Sequence, residues 1–398
     1  MPKMSRSLIA LFACASGLSV ANVYYAQPLL DALAADFAIG HAAIGGVITI
    51  TQVGSVLALL LLVPLGDLLP RRRLMLAQLL ALTAALAGVS LASNAIALMM
   101  GMLTVGMLGT AMTQGLIAYA ASASAESERG RVVGAAQGGV VAGLLLARAL
   151  AGLIADVAGW RAVYASSALA MIAMALLLWR TLPVLPATAR PLPYPRLIAS
   201  MVTLLRHNRV LQVRGTIAML MFAAFGILWS ALVLPLRAPP YNYSHTAIGA
   251  FGLVGLAGTL AASRAGQWAD RGWAQRTSGG ALLLLLLSWV PLGLFGVSSG
   301  AVALASLIAG ILALDLGVQA LQVTNQSLIF RASSDAHSRL VGCYMLFYAV
   351  GSGSGAIAAT SLYARAGWIG VCLLGAAVSA AALLFWAATL CSFFRRAD

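Results

Sequence analysis

The residues of this sequence best suited to chemistry in an apolar environment form one polar stripe. Its members follow one another at i, i+4, i+7 and i+11, with an asparagine beside them: Asp315, Gln319, Gln322, Gln326 and Asn325. This spacing places the first four side chains on one face of a helix. A polar face on an otherwise apolar helix must contact protein or water rather than lipid. The pattern therefore predicts either a polar cavity or a hydrogen-bonded seam between helices.

A single arginine, Arg148, also falls inside a long apolar segment. An arginine within a membrane helix costs about 2.5–3.5 kcal/mol on insertion scales, so a definite role is expected. A structural arginine would extend to the membrane surface, whereas a functional one would pair with a carboxylate of the protein or of a substrate. Because Arg148 lies ~12 Å and Asp315 ~21 Å from the outer ends of their helices, we favour two separate positions in one cavity.

Burial should favour the protonated, neutral form of the Asp315 carboxyl group. A nearby Arg148 would oppose this effect while the two residues are paired. Alternation between paired and unpaired states could therefore load and release a proton, and we assign proton coupling to Asp315 and Arg148. The alternative is that Asp315 is a structural residue in a seam between helices.

The elements that must position these residues are membrane helices. The chain has 398 residues, of which 62% are hydrophobic and only 9% charged, whereas soluble domains contain about a quarter charged residues. Twelve apolar segments each approach the ~20 residues that span a bilayer; they are residues 8–30, 42–66, 74–93, 96–121, 132–156, 162–181, 211–235, 246–268, 279–298, 301–325, 340–364 and 369–393. We predict an all-α polytopic membrane protein with twelve transmembrane helices.

The positive charges indicate how the chain is oriented. Of the 24 Lys and Arg residues, those near predicted helix ends fall on one side, with the exception of Arg161, Arg237 and Arg365. Cytoplasmic loops carry such an excess, so both termini are predicted to be cytoplasmic in a multi-pass protein of the plasma (inner) membrane. Topology then explains the net charge of +14, and no nucleic-acid partner is expected.

The sequence contains an internal repeat with an offset of 208 residues. Its matching pieces are Arg131-Val132-Val133-Gly134 with Arg339-Leu340-Val341-Gly342, Gly143 with Gly351, and Gly159-Trp160 with Gly367-Trp368. Two copies inserted in the same direction predict parallel six-helix repeats. We therefore divide the chain into an N-terminal bundle, a cytoplasmic linker and a C-terminal bundle at residues 1–181, 182–210 and 211–398.

A charged loop occurs once in each half. The two loops read Val63-Pro64-Leu65-Gly66-Asp67-Leu68-Leu69-Pro70-Arg71-Arg72-Arg73 and Gly266-Gln267-Trp268-Ala269-Asp270-Arg271-Gly272. Together with the predicted topology, they resemble the loop signature of the major facilitator superfamily. In that family the acid pairs with arginines and latches one conformational state. The resemblance implies a gating role for Asp67, Arg71, Arg72, Asp270 and Arg271.

The fifth predicted helix contains glycines four residues apart, which form the pairs Gly134 with Gly138 and Gly139 with Gly143. Such pairs allow two helix backbones to approach closely in lipid, which is a structural explanation. Gly139 and Gly143 also resemble the start of the motif that exporters of the drug and sugar-efflux branch carry on this helix, although Leu144 replaces its proline. The resemblance implies an antiporter that exchanges protons for a solute.

In the resembled family, helices one, four, seven and ten line the cavity. The residues that these helices would contribute to a substrate cavity are Asn22, Tyr25, Gln27, Gln114, Trp229, Gln319 and Gln322. Alternating access would rock residues 1–181 against 211–398 around this cavity. The expected partners are a small-molecule substrate, protons and the lipid bilayer, and the protein is expected to be a monomer.

No ATP-binding motif, catalytic cluster or metal-binding spacing is visible in the sequence. We therefore expect no cofactor and no metal site, and a proton gradient is the predicted energy source. No role is assigned to the four histidines, which lie in loops or at helix ends: His41, His207, His245 and His337. Secondary active efflux is the leading hypothesis. The alternatives are a proton-coupled importer or uniporter of a small polar solute, and a membrane-embedded enzyme acting on lipid-linked substrates.

Overall fold

The computed structural model describes residues 4–125, 128–183, 193–255, 258, 264–265, 267–268, 271–331 and 337–394. Every regular element within these ranges is helical, which confirms the all-α fold class. In chain order the α-helices are α1 (Arg6–Tyr24), α2 (Leu30–Asp36), α3 (Gly46–Leu57), α4 (Arg71–Ser90), α5 (Ala95–Ala123), α6 (Arg129–Ala158), α7 (Trp160–Thr181), α8 (Tyr194–His207), α9 (Arg209–Ala231), α10 (Val233–Arg237), α11 (His245–Ala250), α12 (Ala274–Leu287), α13 (Trp289–Val297), α14 (Gly300–Arg331) and α15 (His337–Phe394).

Ten helical segments among the described residues are long and apolar enough to cross a bilayer. They are Arg6–Asp36, Gly46–Gly66, Arg71–Ser90, Ala95–Ala123, Arg129–Ala158, Trp160–Thr181, Arg209–Arg237, Ala274–Val297, Gly300–Ile329 and Arg339–Leu390. A bilayer core requires about 20 apolar residues of helix for one crossing. The chain is therefore a multi-pass membrane protein.

These ten spans differ from the twelve predicted segments at two places. The last span has 52 residues, about 78 Å of helix at 1.5 Å per residue, and it contains one non-helical residue, Gly367, at φ 62° and ψ −160°. The predicted segments 340–364 and 369–393 meet at this glycine. The predicted segment 246–268 is described only in part, where α11 and the 3-10 turn Phe251–Gly255 begin it. The total of twelve helices therefore remains a prediction.

The chain forms two compact units. Unit 1 contains Met1–Ala38, Ile50–Ser200 and Ser244–Gly249, and unit 2 contains Ile39–Thr49, Met201–Tyr243 and Ala250–Asp398. The larger part of each unit is continuous in sequence. Two short segments are exceptions. Residues 39–49 belong to unit 2 although the chain on both sides of them belongs to unit 1, and residues 244–249 belong to unit 1 although the chain on both sides belongs to unit 2.

Unit 1 is organised around the close packing of α1 against α6. A Cβ atom at Gly139 would lie 2.0 Å from the carbonyl oxygen of Ala13, and one at Gly143 would lie 2.2 Å from that of Gly17. A side chain cannot be accommodated at such distances, so the approach requires glycine. A Cβ atom at Gly138 would meet nothing within 4 Å. The helix contact therefore uses the second of the two predicted glycine pairs.

Unit 2 contains a similar contact between α9 and α15. A Cβ atom at Gly351 would lie 2.0 Å from the carbonyl oxygen of Met219, and one at Gly355 would lie 2.4 Å from that of Ala223. Gly351 is the residue that the internal repeat aligns with Gly143. The same type of glycine contact thus joins two helices inside each unit.

The predicted cytoplasmic linker contains a helix that is not among the predicted helical segments. α8 occupies most of the described part of residues 182–210, and residues 184–192 lie outside the described ranges. Pro195 falls in the first turn of α8, where the missing backbone N–H of proline costs no hydrogen bond. Leu197 and Met201 are buried. Because they are four residues apart, they lie on one face, and their burial stabilises the helix.

Candidate functional site

Arg148 is buried in α6, with 2% of its surface exposed. Its Nε donates a hydrogen bond of 2.8 Å to Oε1 of Gln27, and its guanidinium carbon lies 5.6 Å from the ring centroid of Tyr24. A planar guanidinium can bind an amide oxygen at its edge and an aromatic ring at its face. Both partners lie at the end of α1 or just after it. The cation therefore connects the first membrane span to α6 inside unit 1.

An interruption of the first membrane span positions Gln27. After α1 ends, Gln27–Leu29 forms a 3-10 turn before α2 begins. Pro28 lacks the backbone N–H that a continuous α-helix would use. The Gln27 side chain is buried and turns toward α6. Gln27, predicted for the substrate cavity, and Arg148, predicted for proton coupling, are thus in direct contact.

The other two predicted cavity residues of the first span lie against α7. Asn22 is buried; its Nδ2 donates to the carbonyl oxygen of Leu18 at 2.8 Å, and its Oδ1 accepts from Oγ of Ser167 at 2.6 Å. Tyr25 packs edge-on against Tyr164, with ring centroids 6.5 Å apart. Both side chains help to hold the first span to α7. Their part in a substrate cavity remains a prediction.

Asp315 is buried in α14, with 6% of its surface exposed. Further along the polar stripe, Gln319 and Gln322 are half-buried and Asn325 is buried. Gly258 lies against this stripe, because a Cβ atom added to it would be 3.0 Å from Cγ of Gln319 and 3.3 Å from the carbonyl oxygen of Asp315. The stripe therefore contacts neighbouring protein inside unit 2.

The remaining predicted cavity residues belong to different units. Gln114 is half-buried in α5 of unit 1. Trp229 is buried in α9 of unit 2, and its ring centroid lies 6.2 Å from that of Phe225. Arg148 and Asp315 are likewise divided between unit 1 and unit 2. Their cooperation in proton coupling is not tested by the contacts within either unit and stays a prediction.

The arginines that follow the first charged loop bind the ends of neighbouring helices. Nε of Arg71 donates to the carbonyl oxygen of Gly66 at 2.9 Å, and its guanidinium also donates to the hydroxyl of Ser122 near the end of α5. Arg72 donates to the carbonyl oxygen of Trp179 near the end of α7. Cations are favourable at the C-terminal ends of helices. These contacts fasten the loop to two helix ends in unit 1.

The acidic side chains of the two charged loops lie outside the described part of the chain. Asp67 is the last residue of the 3-10 turn Val63–Asp67, but its side chain lies outside the described part of the chain, as does the whole of Asp270. Arg271 is exposed, and its backbone N–H donates to the carbonyl oxygen of Gln267 at 3.2 Å. The latch between acid and arginine therefore remains a prediction.

We expect Asp67→Asn to lower the initial rate of transport by roughly fivefold or more, which corresponds to a coupling of about 1–3 kcal/mol. An asparagine cannot form the charge pair that the gating role requires, while its shape is nearly unchanged. Folding and the amount of protein in the membrane should stay close to wild type. A smaller loss is expected for Asp270→Asn, whose motif is less complete. Normal transport by Asp67→Asn would show that the gating role is wrong.

Arg214 is a buried polar residue that the charge pattern places at the cytoplasmic surface. In the structure it is buried in α9, where its Nη1 donates to Oγ of Ser278 at 3.0 Å and its Nη2 donates to Oε1 of Gln275 at 2.8 Å. Both acceptors belong to α12. Arg214 therefore holds α9 to α12 in unit 2. A count of charges along the sequence cannot distinguish an arginine at the membrane surface from one that lies a turn deeper.

His245 is a second residue whose surroundings no sequence pattern indicates. Its ring lies within hydrogen-bonding distance of Asp31 in α2 and Asp156 in α6. These partners are 214 and 89 residues away in the sequence. No local spacing could therefore have identified the cluster.

The ten apolar spans found in the described ranges, with a cation and a carboxylate buried in two of them, define a helical membrane protein with the features of a transporter. The family description that matches this chain is the Major Facilitator Superfamily, over residues 12–329. The chain belongs to the Major Facilitator Superfamily. This membership, together with two relatives that are named as transporters, shows that the protein is a transporter and not an enzyme.

Two relatives are similar to nearly the whole chain. An uncharacterized transporter of Escherichia coli O157:H7, YgaY, is 40% identical over 391 residues, which cover 96% of this chain and 96% of the relative. A probable transporter of Streptomyces coelicolor is 32% identical over 389 residues, which cover 97% of this chain and 87% of the relative.

Solved structures show the same fold at low sequence identity. The POT family transporter PepTSo has a TM-score of 0.77 and 12% identity, and the match covers 100% of both chains. A bacterial homolog of the human lysosomal transporter Spinster has a TM-score of 0.71 and 13% identity, and the match covers 97% of this chain and 96% of that chain. At these identities the similarity concerns the fold alone.

Proposed function

We propose that this chain is a secondary active transporter that exports a small solute by alternating access in exchange for protons. Family membership and the transporter relatives support the part of this proposal that concerns membrane transport. Proton exchange is supported by the buried charges in α6 and α14, and export by the resemblance of Gly139 and Gly143 to the exporters' motif.

The observation that carries the proposal is the burial of Arg148 in a membrane span. Removal of a guanidinium group from water costs free energy, and Gln27 and Tyr24 are among the contacts that offset this cost. Apolar residues of similar volume commonly stabilise a buried position better than charges do. We assign to Arg148 the binding of a negative charge during transport. This charge is either an anionic group of the solute or a carboxylate such as Asp315.

Asp315 is the proposed proton carrier. It is buried in unit 2. The amide side chains of the polar stripe that follows it can form hydrogen bonds with a polar solute. A carboxyl group can take up a proton when its surroundings become apolar and can release it when they become hydrated or when a cation approaches. Such alternation would supply the coupling step that exchange requires.

The proposal includes a topology of twelve helices in two parallel repeats, with both termini in the cytoplasm. The protein acts as a monomer in the plasma (inner) membrane, uses a proton gradient and needs no cofactor. The repeat is supported by two glycines that it aligns, Gly159 and Gly367. Both have a positive φ, 81° and 62°, and both interrupt the chain between two helices.

The topology predicts how single cysteines will react with a membrane-impermeant reagent. In a variant without the native cysteines, Gly40→Cys and Tyr241→Cys should be labelled from outside intact cells, because both positions lie in predicted outer loops. Arg190→Cys should be labelled only after the cells are opened. Equal labelling of all three positions in intact cells would contradict the topology with both termini in the cytoplasm.

Purified protein in liposomes tests the proposed function. A pH gradient would be imposed, a panel of radiolabelled drugs, sugars and amino acids would be supplied, and accumulation would be measured with and without a protonophore. We expect uphill movement of at least one solute in the direction opposite to protons, and its loss with the protonophore. Movement in the same direction as protons would establish the importer alternative. Equilibration that ignores the protonophore would establish a uniporter.

A further inference from the structure

His245, the first residue of α11, lies between two carboxylates in unit 1. Its Nε2 is 3.0 Å and 3.1 Å from the two carboxylate oxygens of Asp31. Its Nδ1 is 3.1 Å from Oδ1 of Asp156. Only 10% of the His245 side chain is exposed. The ring is therefore held by an acid at each of its two nitrogens.

This geometry requires one proton more than a neutral imidazole carries. A neutral imidazole donates from one ring nitrogen and accepts at the other, whereas a carboxylate can only accept. With an acid at each side, both nitrogens are satisfied only if the ring is an imidazolium or if one carboxyl group is protonated. In either form the three side chains share a titratable proton and titrate as a coupled group.

Asp156 also fixes the backbone at the start of α11. Its Oδ1 accepts from the backbone N–H of His245 at 3.0 Å, and its Oδ2 accepts from that of Thr246 at 2.7 Å. One carboxylate thus binds the histidine ring and the first two backbone donors of the same segment. Ring protonation and segment position are linked through Asp156.

The segment 244–249 is closely packed on α6. A Cβ atom at Gly152 would lie 2.1 Å from the carbonyl oxygen of His245. In the chain this segment lies between Met201–Tyr243 and Ala250–Asp398, which belong to unit 2, whereas the segment itself belongs to unit 1. The cluster therefore holds to unit 1 a segment whose neighbours on both sides belong to the other unit.

The charged groups that face His245 from the neighbouring helices favour its proton. α2 contributes Asp31, and α6 contributes Asp156. The nearest cation on these helices is Arg148, whose carbonyl oxygen lies against Gly249 of the segment and whose Nε binds Gln27, four residues before Asp31. Loss of the proton would set a ring lone pair against a carboxylate. It would also remove the positive charge that the ring places between the two acids.

We infer that Asp31, His245 and Asp156 form a proton-binding site at the start of α11. With the proton bound, both ring nitrogens are satisfied and segment 244–249 is held against α2 and α6. Without the proton, one ring nitrogen loses its partner, so the segment is held less firmly against α2 or α6. The proton site itself rests on the geometry of these three residues. Only its role in transport rests on the proposed exchange of protons. The coupling ion binds here in addition to Asp315.

Histidine NMR on the purified full-length protein, without any solute, tests this site. The chain has four histidines, so the substitutions His41→Asn, His207→Asn and His337→Asn leave a single ring signal, from His245. We expect this signal to titrate at least about one pH unit above that of the exposed His207, measured in the corresponding single-histidine variant. Asp31→Asn should lower the midpoint of the His245 titration by about one unit, because one of the two attracting charges is lost.

Asp36→Asn is the matched control, since Asp36 is an exposed acid of α2 that binds Trp160 and Arg161. It should leave the His245 titration unchanged. A midpoint equal to that of His207, or one that does not respond to Asp31→Asn, would overturn the inference. Failure here would leave solute-driven proton movement untouched. Conversely, absence of that movement would leave a shifted His245 titration standing, so the two failures can be told apart.

Discussion

Replacement of Asp315 by asparagine is expected to abolish proton-driven accumulation of solute in liposomes. An asparagine has nearly the same size but cannot take up a proton, so the polar stripe of α14 keeps its shape and loses its titratable group. Accumulation should fall by roughly fivefold or more, since a coupling free energy of about 1–3 kcal/mol corresponds to a factor of about 5–150. Solute exchange at equal pH on both sides should continue, because exchange requires no net proton movement.

Two other variants separate this effect from a general loss of activity. Asp36→Asn removes an exposed acid that pairs with Arg161, and exposed pairs contribute about 1 kcal/mol or less; accumulation should stay at the wild-type level. Arg148→Ala should mainly raise the solute concentration needed for half-maximal rate, because the cation is assigned to binding. Proton-coupled accumulation at the wild-type rate in Asp315→Asn would assign Asp315 to a structural seam.

Gly139→Ala is expected to destabilise the folded protein strongly. The added methyl group would lie 2.0 Å from the carbonyl oxygen of Ala13, so α1 and α6 would have to separate. Overpacking of a well-packed contact costs about 1–3 kcal/mol, and separation of these helices would also disturb the bond between Gln27 and Arg148. We expect a lower unfolding temperature in detergent and less protein in the membrane.

The adjacent glycine provides a control on the same helix. A Cβ atom at Gly138 would meet nothing within 4 Å, and alanine is favoured over glycine in a helix by about 0.5–1 kcal/mol. Gly138→Ala should therefore leave the unfolding temperature unchanged or raise it. Equal destabilisation by the two substitutions would contradict the packing of α1 on α6 described above.

Most membrane spans could be predicted from the sequence because a bilayer requires long apolar runs whose backbone is satisfied internally. The predicted segment 96–121 corresponds to α5, and 162–181 corresponds to α7. The predicted segment 42–66 is less regular than its hydropathy indicates. After α3 the chain forms a π-helical stretch at Ala58–Leu62 and a 3-10 turn at Val63–Asp67. Hydropathy reports the apolar character of a segment and not its hydrogen-bond pattern.

The candidate site could be predicted only where a single residue is costly by itself. Arg148 and Asp315 stand out because a charge inside an apolar segment needs a reason. Their neighbours do not stand out: nothing in the sequence places Gln27 beside Arg148 rather than elsewhere along the first span. The cluster at His245 depends on contacts between distant segments, and each of its residues is unremarkable where it occurs in the chain.

The spacing of the glycines likewise predicts a close contact between two helix backbones, but it does not show which face of α6 makes the contact. Two pairs with the same spacing occur on α6, and only the geometry of α1 distinguishes them. Gly139 and Gly143 meet the backbone of α1, whereas Gly138 meets no atom that a methyl group would touch. A choice between two faces of one helix requires knowledge of the partner helix, and no single segment contains it.

Proton movement driven by a solute gradient is the most direct test of proton exchange. Liposomes that contain the protein, a trapped pH-sensitive dye and the solute found in the panel would be diluted into solute-free medium, with no initial pH difference and with the membrane potential clamped. Because coupling is reciprocal, solute leaving the liposomes should draw protons inward, so the interior should acidify at a rate that follows the solute gradient. Solute efflux without any change of internal pH would contradict the account.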